Sequence, residues 1–175
     1  VTGSAGGVGS IAIMLLAKLG YSVTASTGRP ETAAYLKTLG ASDIIARDDL
    51  ARKSKPLEKE IWAAVVDSVG STTLGTALAQ TKYNGVIAAC GLAAGLDMPT
   101  TVLPFILRNV RLQGCDSVMA PMNLRERAWD DLASLLDTSL LSEVYRIEPM
   151  SNIKSLASAI LRGEIKGRVV IDVNA

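Results

Sequence analysis

The run Val1-Thr2-Gly3-Ser4-Ala5-Gly6-Gly7-Val8-Gly9-Ser10, followed by Ile11-Ala12-Ile13-Met14-Leu15-Leu16-Ala17, decides the fold. A strand end passes into a glycine turn and then into an apolar helical stretch, the opening unit of a dinucleotide-binding βαβ fold. The unpaired first-turn amides and the positive end of the helix dipole attract an anion, and glycine lets a pyrophosphate approach the backbone. Against the pattern G-x-G-x-x-G the chain reads Ser4-Ala5-Gly6-Gly7-Val8-Gly9, with serine at the first glycine position; it also reads Gly3-x-x-Gly6-x-x-Gly9. Gly9 is followed by Ser10 and Ile11 rather than Lys, so the loop is not the P-loop of a nucleotide kinase. The run opens in mid-strand without Met, and we expect further chain upstream.

Beyond the loop, apolar runs alternate with helical patterns. We expect helices over residues 8–19, 30–39, 72–80, 123–136 and 151–161. Strands are expected over 22–26, 43–46, 63–67, 86–90, 110–115 and 168–173, with the turn Lys82-Tyr83-Asn84-Gly85 before the fourth of them. Gly20 and Gly40 close the first two helices and Pro30 opens the second. Repeated βα units require right-handed crossovers, so the fold class is α/β: a Rossmann-like doubly wound parallel sheet with helices on both faces. With 175 residues, 49% hydrophobic and only 4% aromatic, one domain with an aliphatic core is expected.

Composition narrows the chemistry. A net charge of +1 without a basic run gives no basis for nucleic-acid or membrane-surface binding, and no apolar run is long enough to span a bilayer. The chain has no His, so it cannot build a Ser-His-Asp or Cys-His nucleophile, and with two Cys it cannot form an ordinary zinc site. Cys90 and Cys115 are too few for a disulfide framework, and a reducing cytoplasm fits best. The reacting groups are therefore expected from a cofactor or from chain outside this sequence.

The end of the second strand selects the cofactor. NAD-binding folds place an Asp or Glu about twenty residues after the glycines to hold the ribose 2′-hydroxyl. No carboxylate lies between Ser22 and Pro30; Thr27, Gly28 and Arg29 stand there instead, and Arg47 follows the next strand. An arginine fork suits a 2′-phosphate, so NADPH or NADP+ is expected, with no metal.

The stretches Val1–Ser10, Thr27-Gly28-Arg29, Lys55-Pro56-Leu57-Glu58-Lys59, Cys90-Gly91-Leu92-Ala93, Pro104-Phe105-Ile106-Leu107-Arg108 and Asp116-Ser117-Val118-Met119 together resemble one family. It is the acryloyl-CoA reductase family, in the zinc-free, quinone-oxidoreductase-like branch of the medium-chain dehydrogenase/reductase superfamily. The resemblance implies an NADPH-dependent oxidoreductase acting on an activated carbon–carbon double bond, with acryloyl-CoA to propionyl-CoA as the leading reaction. The nicotinamide would give hydride to the β-carbon, and the protein would position the substrate and stabilise the enolate charge. It also implies a GroES-like catalytic domain preceding residues 1–165, with 166–175 as a closing strand returning toward it, and a small acyl-CoA or quinone-like substrate.

Carried over by motif, Ala5, Gly6, Gly7 and Val8 would meet the pyrophosphate, and Thr27, Gly28 and Arg29 the 2′-phosphate. Cys90, Gly91 and Leu92 would line the nicotinamide, and Asn174 would belong to the cofactor site. Arg168 would lie near the CoA or thioester as the one catalytic candidate in this chain. A homodimer is expected through the exposed strand edge at residues 110–119, as in related reductases. Two alternatives stay open within the superfamily, a quinone oxidoreductase and an alcohol dehydrogenase. A non-catalytic NADPH-binding module is the alternative of another class.

Overall fold

The structure is a computed structural model and describes residues 1–175. Its centre is a short extended segment rather than a full strand. The Val1 nitrogen donates to Thr24 O at 2.8 Å, and Val1 O accepts from the Ser26 amide at 2.9 Å. On its other edge the Thr2 amide donates to Val66 O at 3.0 Å. These bonds join two sheets into one layer. On one side β1 (Thr24–Thr27) pairs in parallel with β2 (Asp43–Ala46). On the other, β3 (Trp62–Asp67), β4 (Thr81–Ala89) and β5 (Arg111–Gly114) run parallel in that order.

The chain thus leaves the central segment in one direction through β1 and β2 and in the other through β3, β4 and β5. With right-handed crossovers, helices of the two halves fall on opposite faces. One core cluster gathers Ile13 and Met14 of α1 (Gly7–Lys18), Tyr35 and Leu36 of α2 (Ala33–Thr38), and Ala25 of β1. The second gathers Leu74, Ala77 and Leu78 of α3 (Ser71–Gln80) with Val65, Ile87 and Val110. This is the doubly wound α/β architecture, and no helix is long and apolar enough to cross a membrane.

Three local features depart from the sequence expectation. The turn around Asn84, which has φ +62°, lies inside β4, and the pairing with β3 slips from Trp62↔Thr81 to Ala64↔Val86 across it. The Pro-containing stretch after β4 forms a helix, α4 (Leu103–Arg108), with Pro104 in its first turn. Arg108 then ties α4 down by donating to Ala79 O at 2.8 Å and Glu58 O at 2.6 Å.

The third departure is β6 (Tyr145–Pro149). It follows α5 (Met122–Leu135) and the short α6 (Leu141–Val144), and pairs in parallel with β7 (Arg168–Asp172) around α7 (Ile153–Leu161). The expected closing strand is therefore one half of a separate two-stranded sheet. It is anchored to the glycine loop, because the Gly167 amide donates to Ala5 O at 2.8 Å.

Candidate functional site

The strand ends of both halves open onto one cleft of about 450 Å³. Its floor is the segment from Thr2 to Gly6. Gly3, at φ +57°, takes a left-handed turn that a side chain would strain. Gly6 is the N-cap of α1 and offers no side-chain cap, so the first-turn amides of α1 keep no protein partner within the helix. Gly9 is where the helix meets the floor: a Cβ there would stand 2.5 Å from Gly3 O and 2.7 Å from Ser4 Cα. The first glycine position carries Ser4, whose Oγ donates to Val1 O at 2.7 Å and so stabilises the same turn.

One wall carries positive charge. Thr27, Gly28, Arg29 and Arg47 all line the cleft. The Thr27 hydroxyl serves the turn itself, accepting from the Arg29 amide at 3.1 Å and meeting Thr32 Oγ1 at 3.1 Å. Arg47 lies across Gly28, where its guanidinium occupies the space a Cβ would need. Arg29 Nη2 donates to Ile165 O at 3.1 Å, linking this wall to the segment before β7. Ile160, Leu161, Arg162, Gly163 and Ile165 form the rim, and Arg162 there is paired with Glu164 at 2.8 Å. Arg162 has no counterpart in the sequence reading; Leu161-Arg162-Gly163 shows there only as a helix end.

The opposite wall begins at the end of β3. Asp67 is wholly buried and accepts from Thr2 Oγ1 at 2.7 Å and from the Gly70 amide at 2.9 Å. Gly70, at φ +72°, turns the chain into α3. Ser68, Val69 and Thr73 face the cleft, as do Ala93 and Ala94. Thr73 is 1% exposed, and its hydroxyl oxygen has no hydrogen-bond partner in the protein. A buried hydroxyl left unpaired beside a cleft suits a polar ligand, as do glycines that hold the floor open.

The remaining sequence candidates stand around this cleft rather than in its lining. Gly7 and Val8 lie beyond Gly6 in the first turn of α1, with Val8 half exposed. A Cβ on Gly7 would stand 2.5 Å from Arg168 Nη2, so the Arg168 guanidinium lies against the positive end of α1. Cys90, Gly91 and Leu92 immediately precede the lining pair Ala93-Ala94. Cys90 is held by its amide to Asp67 O at 2.8 Å, and its thiol donates to the same oxygen at 3.2 Å. Burial, then the Cys115 and Asp67 charges, push the Cys90 thiol above its ordinary pKa, so it is a poor nucleophile. Asn174 is exposed, and its amide donates to Asp172 Oδ1 at 2.9 Å, away from the cleft.

Comparison with known proteins places this geometry. The zinc-binding dehydrogenase family profile matches residues 7–134. The probable acrylyl-CoA reductase AcuI of Escherichia coli K12 is 51% identical over 99% of this chain and 53% of its own length. The crystal structure of E. coli K-12 YhdH with bound NADPH superposes with a TM-score of 0.95, at 50% identity over 99% of this chain and 53% of that one. The Bacillus subtilis protein YhfP, solved with NAD bound, gives a TM-score of 0.91 at 42% identity, over 98% of this chain and 53% of its own. This chain spans about half the length of each of these proteins. It contains no group of three or more His, Cys, Asp or Glu residues arranged to hold a metal ion, so its own residues do not fit a zinc site.

Proposed function

Because this chain belongs to the zinc-binding dehydrogenase family, we propose that it is the NADPH-binding half of a reductase acting on an activated carbon–carbon double bond, with an acrylyl-CoA-type thioester as substrate. The observation that carries the cofactor reading is the wall formed by Arg29, Gly28 and Arg47, facing the glycine floor across one cleft. No carboxylate stands at the end of β1 to repel a 2′-phosphate.

In this reading the α1 amides of Gly7 and Val8, with Ala5 and Gly6, hold the pyrophosphate. Arg29 and Arg47 hold the 2′-phosphate. Cys90, Gly91 and Leu92, with Ala93 and Ala94, form the wall toward the nicotinamide, while Asn174, outside the cleft lining, joins the cofactor site only from the tail after β7. Arg168, an unpaired cation against the positive end of a helix, lacks an anion; a phosphate, or the enolate oxygen that the thioester acquires during reduction, supplies one. The bound cofactor supplies a hydride for the double bond; this chain fixes its position and excludes water.

Residues 1–165 act as the cofactor-binding core, and 166–175 return toward a catalytic domain. The exposed apolar residues Tyr145, Ile147, Ile160, Leu161 and Val170 around β6, α7 and β7 support a neighbour on that side. The free outer edge of β5 is the proposed homodimer contact, and the cytoplasm the proposed location. Titration of the full-length protein with NADPH and NADH, followed by turnover with acrylyl-CoA, tests the reading. Preference for NADPH and reduction of the thioester are expected. Equal affinity for both cofactors would remove the 2′-phosphate wall from the argument, and absence of turnover would remove the substrate.

A further inference from the structure

Cys90 follows β4 and Cys115 follows β5, and the register of these strands brings them opposite each other. The pairs run Val86↔Arg111, Ile87↔Leu112, Ala88↔Gln113 and Ala89↔Gly114. The Cys115 amide continues the ladder by donating to Ala89 O at 2.9 Å. The next pair in register is therefore Cys90 and Cys115, with side chains on the same face of the sheet. Adjacent strands lie about 4.8 Å apart, which falls inside the roughly 4.4–6.8 Å Cα separation that a disulfide spans. Both cysteines are free, Cys115 exposed and Cys90 with its sulfur partly covered against Asp67 O. No third ligand joins them to make a metal site.

We propose that Cys90 and Cys115 form a redox modification site, at which a peroxide closes an intrachain disulfide between the ends of β4 and β5. Cys115 reacts first. Its thiolate forms an S–O bond with one peroxide oxygen, the O–O bond breaks, and the second oxygen leaves as water after taking a proton. The Cys90 thiol then attacks the Cys115 sulfur: the S–S bond forms, the S–O bond breaks, and the leaving hydroxide takes the Cys90 proton as a second water. Both sulfurs are oxidised by one electron each, and the peroxide is reduced by two.

The order follows from the surroundings. Cys90 is partly buried and its thiol is held by Asp67 O at 3.2 Å. The same burial and the nearby charges raise its pKa, leaving less thiolate for a first attack. Its fixed place one strand away makes it the resolving thiol for Cys115. An exposed bond of this kind is also readily reduced, so the change is reversible. It would pin the end of β4 one residue before Gly91, whose Cβ position lies 2.5 Å from Ser68 O on the cleft wall.

The full-length protein is treated with hydrogen peroxide, alkylated, digested with trypsin and analysed by mass spectrometry. Peptides 83–108 and 112–125 should appear joined, two hydrogens lighter than their sum, and separate again after dithiothreitol. The protein should still run as one chain on a non-reducing gel. Cys115→Ser should abolish the linked species and leave Cys90 open to alkylation. Oxidation of Cys115 to sulfinic acid with Cys90 still a free thiol would overturn the proposal, and so would a Cys115–Cys115 link between two chains.

Discussion

Thr2 Oγ1 donates to Asp67 Oδ1 at 2.7 Å across the middle of the sheet, and both residues are almost wholly buried. The same carboxylate accepts from the Gly70 amide, so one side chain fastens the glycine floor to the turn that opens α3. Asp67→Ala leaves the Thr2 O–H donor and the Gly70 amide without an acceptor, although Thr2 Oγ1 still accepts from the Ser68 amide. At about 1–3 kcal/mol for each unsatisfied buried group, a loss of roughly 2–6 kcal/mol is expected. Urea unfolding of the two proteins measures it; a loss below about 0.5 kcal/mol would mean that water replaces the carboxylate.

Gly28→Ala acts on the site rather than on the fold. The new Cβ needs the space of the Arg47 guanidinium, the far end of a flexible side chain that can swing away. The unfolding midpoint should barely change while NADPH affinity falls about tenfold, the worth of one charge-assisted hydrogen bond at its lower end. Unchanged NADPH binding would show that Arg47 takes no part.

Arg29→Ala should weaken NADPH binding by roughly ten- to a hundredfold, since a hydrogen bond to a charged group contributes about 1.5–3 kcal/mol. NADH binding should hardly change. Fluorescence titration with both cofactors decides between a 2′-phosphate ligand and a residue that only stabilises the rim through Ile165 O. Equal loss for both cofactors favours the rim.

Gly9→Ala is the opposite case to Gly28. Its Cβ would press on Gly3 O and Ser4 Cα, which are backbone and cannot yield without moving the floor. Overpacking of this kind costs about 1–3 kcal/mol. Both thermal stability and cofactor affinity should drop together. A stable variant that binds NADPH normally would mean that α1 can slide away from the floor at no cost.

Glu58 sets a pH dependence. It accepts from Arg52 at 2.6 and 2.8 Å and from Gln80 Nε2 at 2.9 Å, and the Arg52 bonds, followed by those from Gln80 and the Lys55 amide, lower its pKa from 4.5 to about 2 against the opposing effect of burial. A carboxyl with a depressed folded-state pKa stabilises above its unfolded value and loses that contribution as pH falls from 4.5 toward about 2. Glu58→Gln should therefore be less stable than the parent at about pH 6, with the difference shrinking at about pH 3. Melting curves at the two pH values test this; a gap that stays constant would assign the effect to packing.

Much of the cofactor cleft was legible because its signals are local. The glycine loop, the uncharged end of β1 and the positions of β1, β2 and β3 follow from periodicity and from residue types at fixed spacing. The departures share one cause. Tyr145–Pro149 offers only a short strand signal, Tyr145 and Ile147 ended by Pro149, and it is extended because Arg168–Asp172 pairs with it across α7. Leu103–Arg108 becomes a helix where its Arg108 reaches carbonyls of residues 58 and 79.

By itself, then, the sequence determined the βα units on either side of the central segment, the glycine loop and the residue types of the arginine wall. Each of these depends on neighbours a few residues away. Only the tertiary structure decided that Asp67 fastens the floor, that Arg162 and Ile165 form the rim, that Arg168 lies against Gly7, and that Cys90 stands opposite Cys115. Those relationships are made by strand register and by packing between segments distant in the chain, and a single sequence carries no local signal for either.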